Sequence, residues 1–322
     1  MMKATEQKVM RAMRLADATA GAVRFVETEV PQPKPNAGEV LVRVHAAGVT
    51  ASEVMWSPTT QTKEGAPRAN AIVAHEFSGV VAEVGADVRD FRAGQEIYGM
   101  NDWYAEGALA EYCVAKPSDI APKPAKLTHI EAASVPISAL TAWQGLLDRA
   151  QLQSGHRVLI HGASGGVGVF AVQLAHIRGA HVIATASEIN RDFVTQLGAD
   201  EFIDYKSQRF EDIARDIDVV FDGVGGETFN RSLAVLKPGG RIITIAASAE
   251  AEAANDERVK NAFFIVEPNQ KQLIEVTKLI DAGKLKPVVD AVVPLADAAS
   301  AYNGSVKNRQ GRGKIVIEIT GP

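Results

Sequence analysis

The chain has 322 residues, 46% of them hydrophobic and 23% charged, with a formal net charge of −5. That length allows two domains of ordinary globular composition, and the mildly acidic balance with scattered cations excludes a footprint for nucleic acid or anionic lipid. The single cysteine, Cys113, excludes an intramolecular disulfide and any multi-cysteine zinc site.

The opening MMKATEQKVMRAMRL is too polar for a secretory signal, and no apolar run is long enough to cross a bilayer. The expectation is a cytoplasmic protein with a small-molecule partner, no nucleic acid and no membrane. The first 130 or so residues predict short strands. Alternating prolines in VPQPKPNAGEV lead into the period-two run EVLVRVHA, and FSGVVAEVGADV, GQEIYGM and LAEYCVA repeat β-branched runs broken by glycine. A small, irregular barrel is predicted, with Cys113 as a buried small hydrophobe.

From about residue 130 the period becomes helical in HIEAASVPISALTAWQGLLDRA. A βα alternation follows: RVLIHG and its helix, HVIATAS and its helix, EFIDY, DIDVVFDGVG, GRIITIAAS and AFFIV. Apolar strands separated by helical segments predict a doubly wound parallel sheet with helices on both faces. Residues 247–260 read as a mobile connection or solvated helix, and QKQLIEVTKLIDAGKL as an amphipathic helix ended by Gly283. The last run, KIVIEI, is predicted to return to the first domain's sheet, which makes the doubly wound unit an insertion.

VLIHGASGGVG, residues 158–168, overlays two signatures. From Gly162 it is G-x-S-x-G, a nucleophile elbow around Ser164; from Ala163 it is A-x-G-x-x-G, close to a dinucleotide fingerprint. The elbow needs a histidine well downstream, and the seven histidines end at position 181. The fingerprint needs what is present, a strand before the loop and a helix after it. Ser164, Gly165, Gly166 and Val167 therefore form the expected phosphate cradle, with free N–H groups of residues 165–168 at a positive helix end. No carboxylate ends the second strand, so Ser187, Arg191 and Tyr205 are predicted to receive a 2′-phosphate and favour NADPH, opposed by Glu188. Tyr112 and Lys116 have the Y-x-x-x-K spacing of short-chain dehydrogenases but precede the glycine loop, so they are read as strand residues.

GEVLVRVHAAGV, HEFSGVVAEVG, AASVPISALTAWQGL, VLIHGASGGVG, LGADEFIDY, DVVFDGVGG and GKIVIEI occur in this order from residue 38 to residue 319. Together they resemble the zinc-free quinone oxidoreductase branch of the medium-chain dehydrogenase/reductases over nearly the whole chain. The resemblance implies an α/β fold: a Rossmann doubly wound parallel-sheet domain (130–267) plus a GroES-like irregular β-barrel domain (1–129 and 268–322). Thr50 stands where zinc-dependent members carry cysteine, His75-Glu76 keeps their H-E pair, and PISALTAW supplies no third ligand, so no metal is expected. Asn and Asp are usual at the positions of Thr50 and Glu53. The resemblance further implies that Thr50, Ser52, Trp56 and Tyr104 line the acceptor site and that Thr141, Val224, Ala246, Phe264 and Val266 surround the nicotinamide. Without a metal to polarise an alcohol, the expected chemistry is hydride transfer from NADPH to a quinone or to the C=C of an α,β-unsaturated carbonyl. A homodimer is expected. The second reading is a non-catalytic NADPH-binding redox sensor or crystallin-like structural protein.

Overall fold

The computed structural model describes residues 8–19, 22–253 and 256–320. The first half of the opening segment read as too polar for a signal lies outside the described residues. The chain starts with a hairpin, β1 (Val9–Thr19) and β2 (Ala22–Pro31). Next come β3 (Val40–Gly48), β4 (Glu76–Val84), β5 (Glu96–Met100), β6 (Tyr112–Ala115) and β7 (Ile120–Pro122). Bulges at Leu41/Val42 and Val44/Ala46 bend β3 against β4, the distortion a small barrel needs to curl. Inside it Val42, Val44, Phe77, Ile97 and Leu109 are fully buried, each contributing about 1.5–3 kcal/mol of transfer free energy.

The second unit is a parallel sheet of β8 (Arg157–His161), β9 (His181–Ala186), β10 (Glu201–Asp204), β11 (Ile217–Asp222) and β12 (Leu236–Thr244), in the order β10-β9-β8-β11-β12. Strand side chains alternate between two cores: Val158 and Ile160 meet Phe170 and Phe221 on one face, whereas Leu159 meets Phe210 and Phe229 on the other. The order reverses between β8 and β11, and a crevice at such a switch point is where doubly wound sheets bind ligands. The tail then forms β13 (Val289–Pro294) and β14 (Lys314–Glu318); β14 pairs antiparallel with β3, returning to the barrel as predicted.

Two expectations are corrected. The long helical stretch from 129 is three pieces, His129–Ala133, Pro136–Trp143 and a π-helical Gln144–Arg149, because Pro136 cannot continue the first. AFFIV is not a full strand: it makes one parallel bridge, Phe263 to Thr244. Beyond that bridge Val266 O accepts from Trp103 Nε1 at 3.3 Å, and the next residue, Glu267, donates its N–H to Gln144 Oε1 at 3.0 Å. The 247–260 segment contains the helix Ser248–Ala253, which buries no residue, in line with a solvated helix.

Candidate active site

The glycine turn joins β8 to the helix Gly168–Ile177. Gly162 has φ +73°, which a residue with a Cβ rarely adopts, so the tight turn is made one residue before the fingerprint position that Ala163 occupies. A Cβ on Gly168 would collide with Gly162 O, so helix and strand can pack this closely only with glycine there. A Cβ on Gly166 would instead meet Ser138 Oγ at 3.5 Å and Gly313 O and Lys314 Cε at 3.6 Å, filling open space above the loop. This bare-backbone cradle at a helix N-terminus fits a dinucleotide diphosphate. One detail differs from the expectation: Gly165 N–H donates to Gly162 O at 3.0 Å and is spent on the turn. Ser164 is no exposed nucleophile, since its Oγ accepts from Asn190 Nδ2 at 3.3 Å and its carbonyl accepts from Gly313 N at 2.8 Å.

Over the loop lies an interdomain cleft of about 1550 Å³. Thr50, Ser52, Trp56, Tyr104, Thr141, Gly165, Gly166, Val167, Ala246, Phe264 and Val266 all line it, brought together from both sheets. Trp56 and Trp103 meet edge to face at 5.2 Å, giving the cleft an aromatic wall. The sequence reading did not single out Trp103, although it neighbours Tyr104, because its bond to Val266 O spans 163 residues. Tyr104 is 38% exposed, at the mouth.

Five of the expected cofactor residues, Ser164, Ser187, Arg191, Tyr205 and Val224, do not line the cleft. Val224 is 54% exposed, its amide donates to Asp222 Oδ1 at 3.0 Å, and it packs beside Gly162 without lining the cleft itself. Tyr205 is 59% exposed and also off the cleft. Arg191, assigned to a phosphate, is clamped by both oxygens of Glu188 at 2.7 and 2.8 Å and stacks on Phe202, so the two residues weighed against each other neutralise one another. Ser187 Oγ accepts from Asn190 Nδ2 at 3.3 Å. Asn190 itself is held by a residue the sequence reading missed: Arg312 Nε donates to Asn190 Oδ1 at 2.7 Å and Nη2 to Ile189 O at 2.9 Å. Arg312 comes from the tail, 122 residues away, which is why a search confined to the second βα unit passes over it.

Both residues of the H-E pair make buried contacts. His75 Nδ1 bonds Asn101 Oδ1 at 2.9 Å, and burial pushes its pKa down to about 4. Glu76 accepts from Ile137 N at 2.9 Å and forms a buried ion pair with Lys314, whose Nζ also lies 3.5 Å from Thr50 Oγ1. Burial pulls the Lys314 pKa down to about 7, opposed by the charge of Glu53, and the Glu76 carboxylate in direct contact favours the ammonium form further. A cation thus already sits beside Thr50 and Glu76. Among the described residues no cluster of three His, Cys, Asp or Glu could hold a metal ion. A hydroxyl, an engaged imidazole and a carboxylate paired to lysine do not fit a zinc centre.

Beneath the turn, His161 ties three elements. Ser232 Oγ donates to Thr228 O, so it accepts from His161 Nε2–H at 3.0 Å, and Nδ1 accepts from Thr185 Oγ1 at 3.0 Å. Burial holds this imidazole neutral, with a pKa of about 4. Cys113 is buried and its thiol is pushed well up by burial, in keeping with a packing role.

Residues 36–125 match the alcohol dehydrogenase GroES-like domain family, and residues 197–317 match the zinc-binding dehydrogenase family. A mitochondrial NAD(P)H oxidoreductase of Danio rerio is 32% identical across 87% of this chain and 84% of its own length. A 2-methylene-furan-3-one reductase of Solanum lycopersicum is 30% identical across 96% of this chain and 79% of its own. The solved quinone oxidoreductase of Coxiella burnetii superposes with a TM-score of 0.84 at 29% identity, covering 97% of this chain and all of that one. The chain belongs to the medium-chain dehydrogenase/reductases of the quinone oxidoreductase type. It is an oxidoreductase that uses a nicotinamide cofactor, and its fold joins a GroES-like barrel to a Rossmann sheet. No helix among the described residues is long and apolar enough to cross a membrane.

Proposed function

We propose that this oxidoreductase transfers hydride from NADPH to a quinone or to the C=C of an α,β-unsaturated carbonyl without a metal. The observation that carries the reading is the Lys314–Glu76 pair beside Thr50, a fixed cation and hydroxyl where a metal-dependent site would need ligands. NADPH, when bound, supplies the hydride. Gly166, Val167 and Gly168 would hold its diphosphate, and Lys314, whose stem runs beside Gly166, would add charge to that grip. Trp56, Trp103 and Tyr104 would orient a flat acceptor and keep water from it, and the Thr50 hydroxyl would donate toward charge developing on its oxygen. A conjugated acceptor spreads that charge, so hydrogen-bond donors suffice. We take 130–267 as the nucleotide-binding unit, 1–129 with 268–322 as the barrel unit, and the assembly as a homodimer.

The test is NADPH absorbance decay with a panel of quinones and enones, with and without a chelator. Turnover unchanged by chelation is expected; loss of turnover on chelation would refute the metal-free mechanism, and tight NADPH binding without turnover on any acceptor would favour a sensor.

For the 2′-phosphate, Arg312 is the better-placed cation, because Glu188 occupies Arg191. Arg312→Ala is expected to weaken NADPH about tenfold or more with little change for NADH, since a charge-assisted bond contributes about 1.5–3 kcal/mol. Glu188→Gln should shift the preference toward NADPH by freeing Arg191. Fluorescence titration with both cofactors reads this directly; equal losses for NADPH and NADH in Arg312→Ala would remove Arg312 from the phosphate site.

A further inference from the structure

The barrel carries a second cavity, of about 380 Å³, between the β1–β2 hairpin and β6. Met10, Val30, Ile72, Tyr112 and Ala115 give it an apolar lining. It includes both ends of the Y-x-x-x-K stretch, Tyr112 and Lys116, and it shares Asp102, Lys116 and Asp119 with the interdomain cleft, so a thin wall divides the two.

Four carboxylates and three cations line this cavity, and they are engaged to different extents. Its carboxylates all have partners: Glu39 accepts from Asn36 at 2.8 Å, Asp102 pairs with Lys63 at 3.2 Å, Glu106 with Arg68 at 3.1 Å, and Asp119 accepts from Ser118 Oγ at 2.6 Å. Among the described residues Arg14 Nε is buried with no hydrogen-bond partner, and Lys34 and Lys116 make no contact ion pair, although the Lys116 charge acts on Asp102 and Asp119. Arg14 lines the cavity and no carboxylate among the described residues is paired with it, so an anion bound there meets an uncompensated guanidinium. The planar fork of arginine matches a carboxylate, while the lining asks for hydrocarbon, and the volume is that of a small-ligand pocket.

We propose that this cavity is a binding site for an amphiphilic monocarboxylate, its head on Arg14 and its apolar body along Met10, Val30, Ile72 and Tyr112. The site does not depend on the hydride-transfer reading. Lys116 and Lys34, exposed at the rim, raise the local concentration of the anion without fixing its position.

Calorimetric titration of the full chain with octanoate, and with octanamide as its uncharged counterpart, tests the site. Octanoate is expected to bind with a stoichiometry of one, and octanamide about tenfold or more weakly, since only the anion meets the guanidinium. Arg14→Met should weaken octanoate by a similar factor. Val114→Phe, which fills the cavity while keeping Arg14, should abolish binding, with melting temperatures confirming that both variants fold. No octanoate binding by the wild-type chain, equal affinity in both folded variants, or a structure placing octanoate in the interdomain cleft would each overturn the assignment.

Discussion

Gly166→Ala and Gly168→Ala are expected to fail in different ways, although the two glycines lie in one turn. A Cβ on Gly168 collides with the Gly162 carbonyl, a backbone atom that cannot rotate aside, so the helix must lift from the strand. Overpacking of this kind costs about 1–3 kcal/mol or more, and the displaced turn should also lose dinucleotide affinity. At Gly166 the new methyl has ordinary contacts of 3.5–3.6 Å and the backbone is not left-handed, so the fold should tolerate it. That methyl would stand where a diphosphate must approach the bare backbone. Gly166→Ala should therefore melt within about 1–2 °C of wild type, in keeping with a stability change of a few tenths of a kcal/mol, yet bind NADPH at least tenfold more weakly. Thermal denaturation and fluorescence titration of both variants decide it; a Gly166→Ala protein with undiminished affinity would mean the cradle is not where the phosphates sit.

Stability should climb as pH rises from about 4 to 6.5. Burial holds His75, His161 and His129 near pKa 4, against an ordinary value of 6.5. In that window the unfolded imidazoles bind protons that the folded ones refuse, so protonation pulls the equilibrium toward unfolding. The stability these groups confer is complete above pH 6.5 and is lost as pH falls toward 4. Glu53 acts with the opposite sign: burial raises its pKa to about 7, so the folded protein keeps a proton that the unfolded carboxyl releases above 4.5. Its contribution is present at low pH and disappears as pH rises toward 7. Each fully differing group changes stability by about 1.4 kcal/mol per pH unit, so three imidazoles against one carboxyl leave a net slope of about 2–3 kcal/mol per unit near pH 5.5. The half-buried His129 contributes least. Urea denaturation at closely spaced pH values measures the slope. Glu53→Gln should steepen it and His161→Gln should flatten it; a wild-type stability flat from pH 5 to 7 would contradict the buried neutral imidazoles.

Much of the candidate cofactor turn was legible because its signals are local. A glycine turn between an apolar strand and an apolar helix is written in eleven consecutive residues, 158–168, and the folded loop keeps that order. The same holds for the amphipathic helix Gln270–Asp281 and its stop at Gly283, whose φ is +73°. Period and punctuation are properties of neighbours along the chain, so they can be read before the chain folds. Local reading was weakest at the edge of the parallel sheet. There 262–266 had a strand's composition, but Val266 O was taken by Trp103 and the following Glu267 by Gln144, both from other elements.

The sequence by itself determined the two-unit architecture, the returning strand β14 and the glycine cradle, because hydrophobic period and backbone freedom act over a few residues. Only the tertiary structure decided which charges meet: Glu188 closing on Arg191, Arg312 reaching Asn190 across 122 positions, and Lys314 pairing with Glu76 across 238. An ion pair is selected by the distance between charged groups after packing and by how far burial removes them from water, and neither quantity exists until the two sheets have come together.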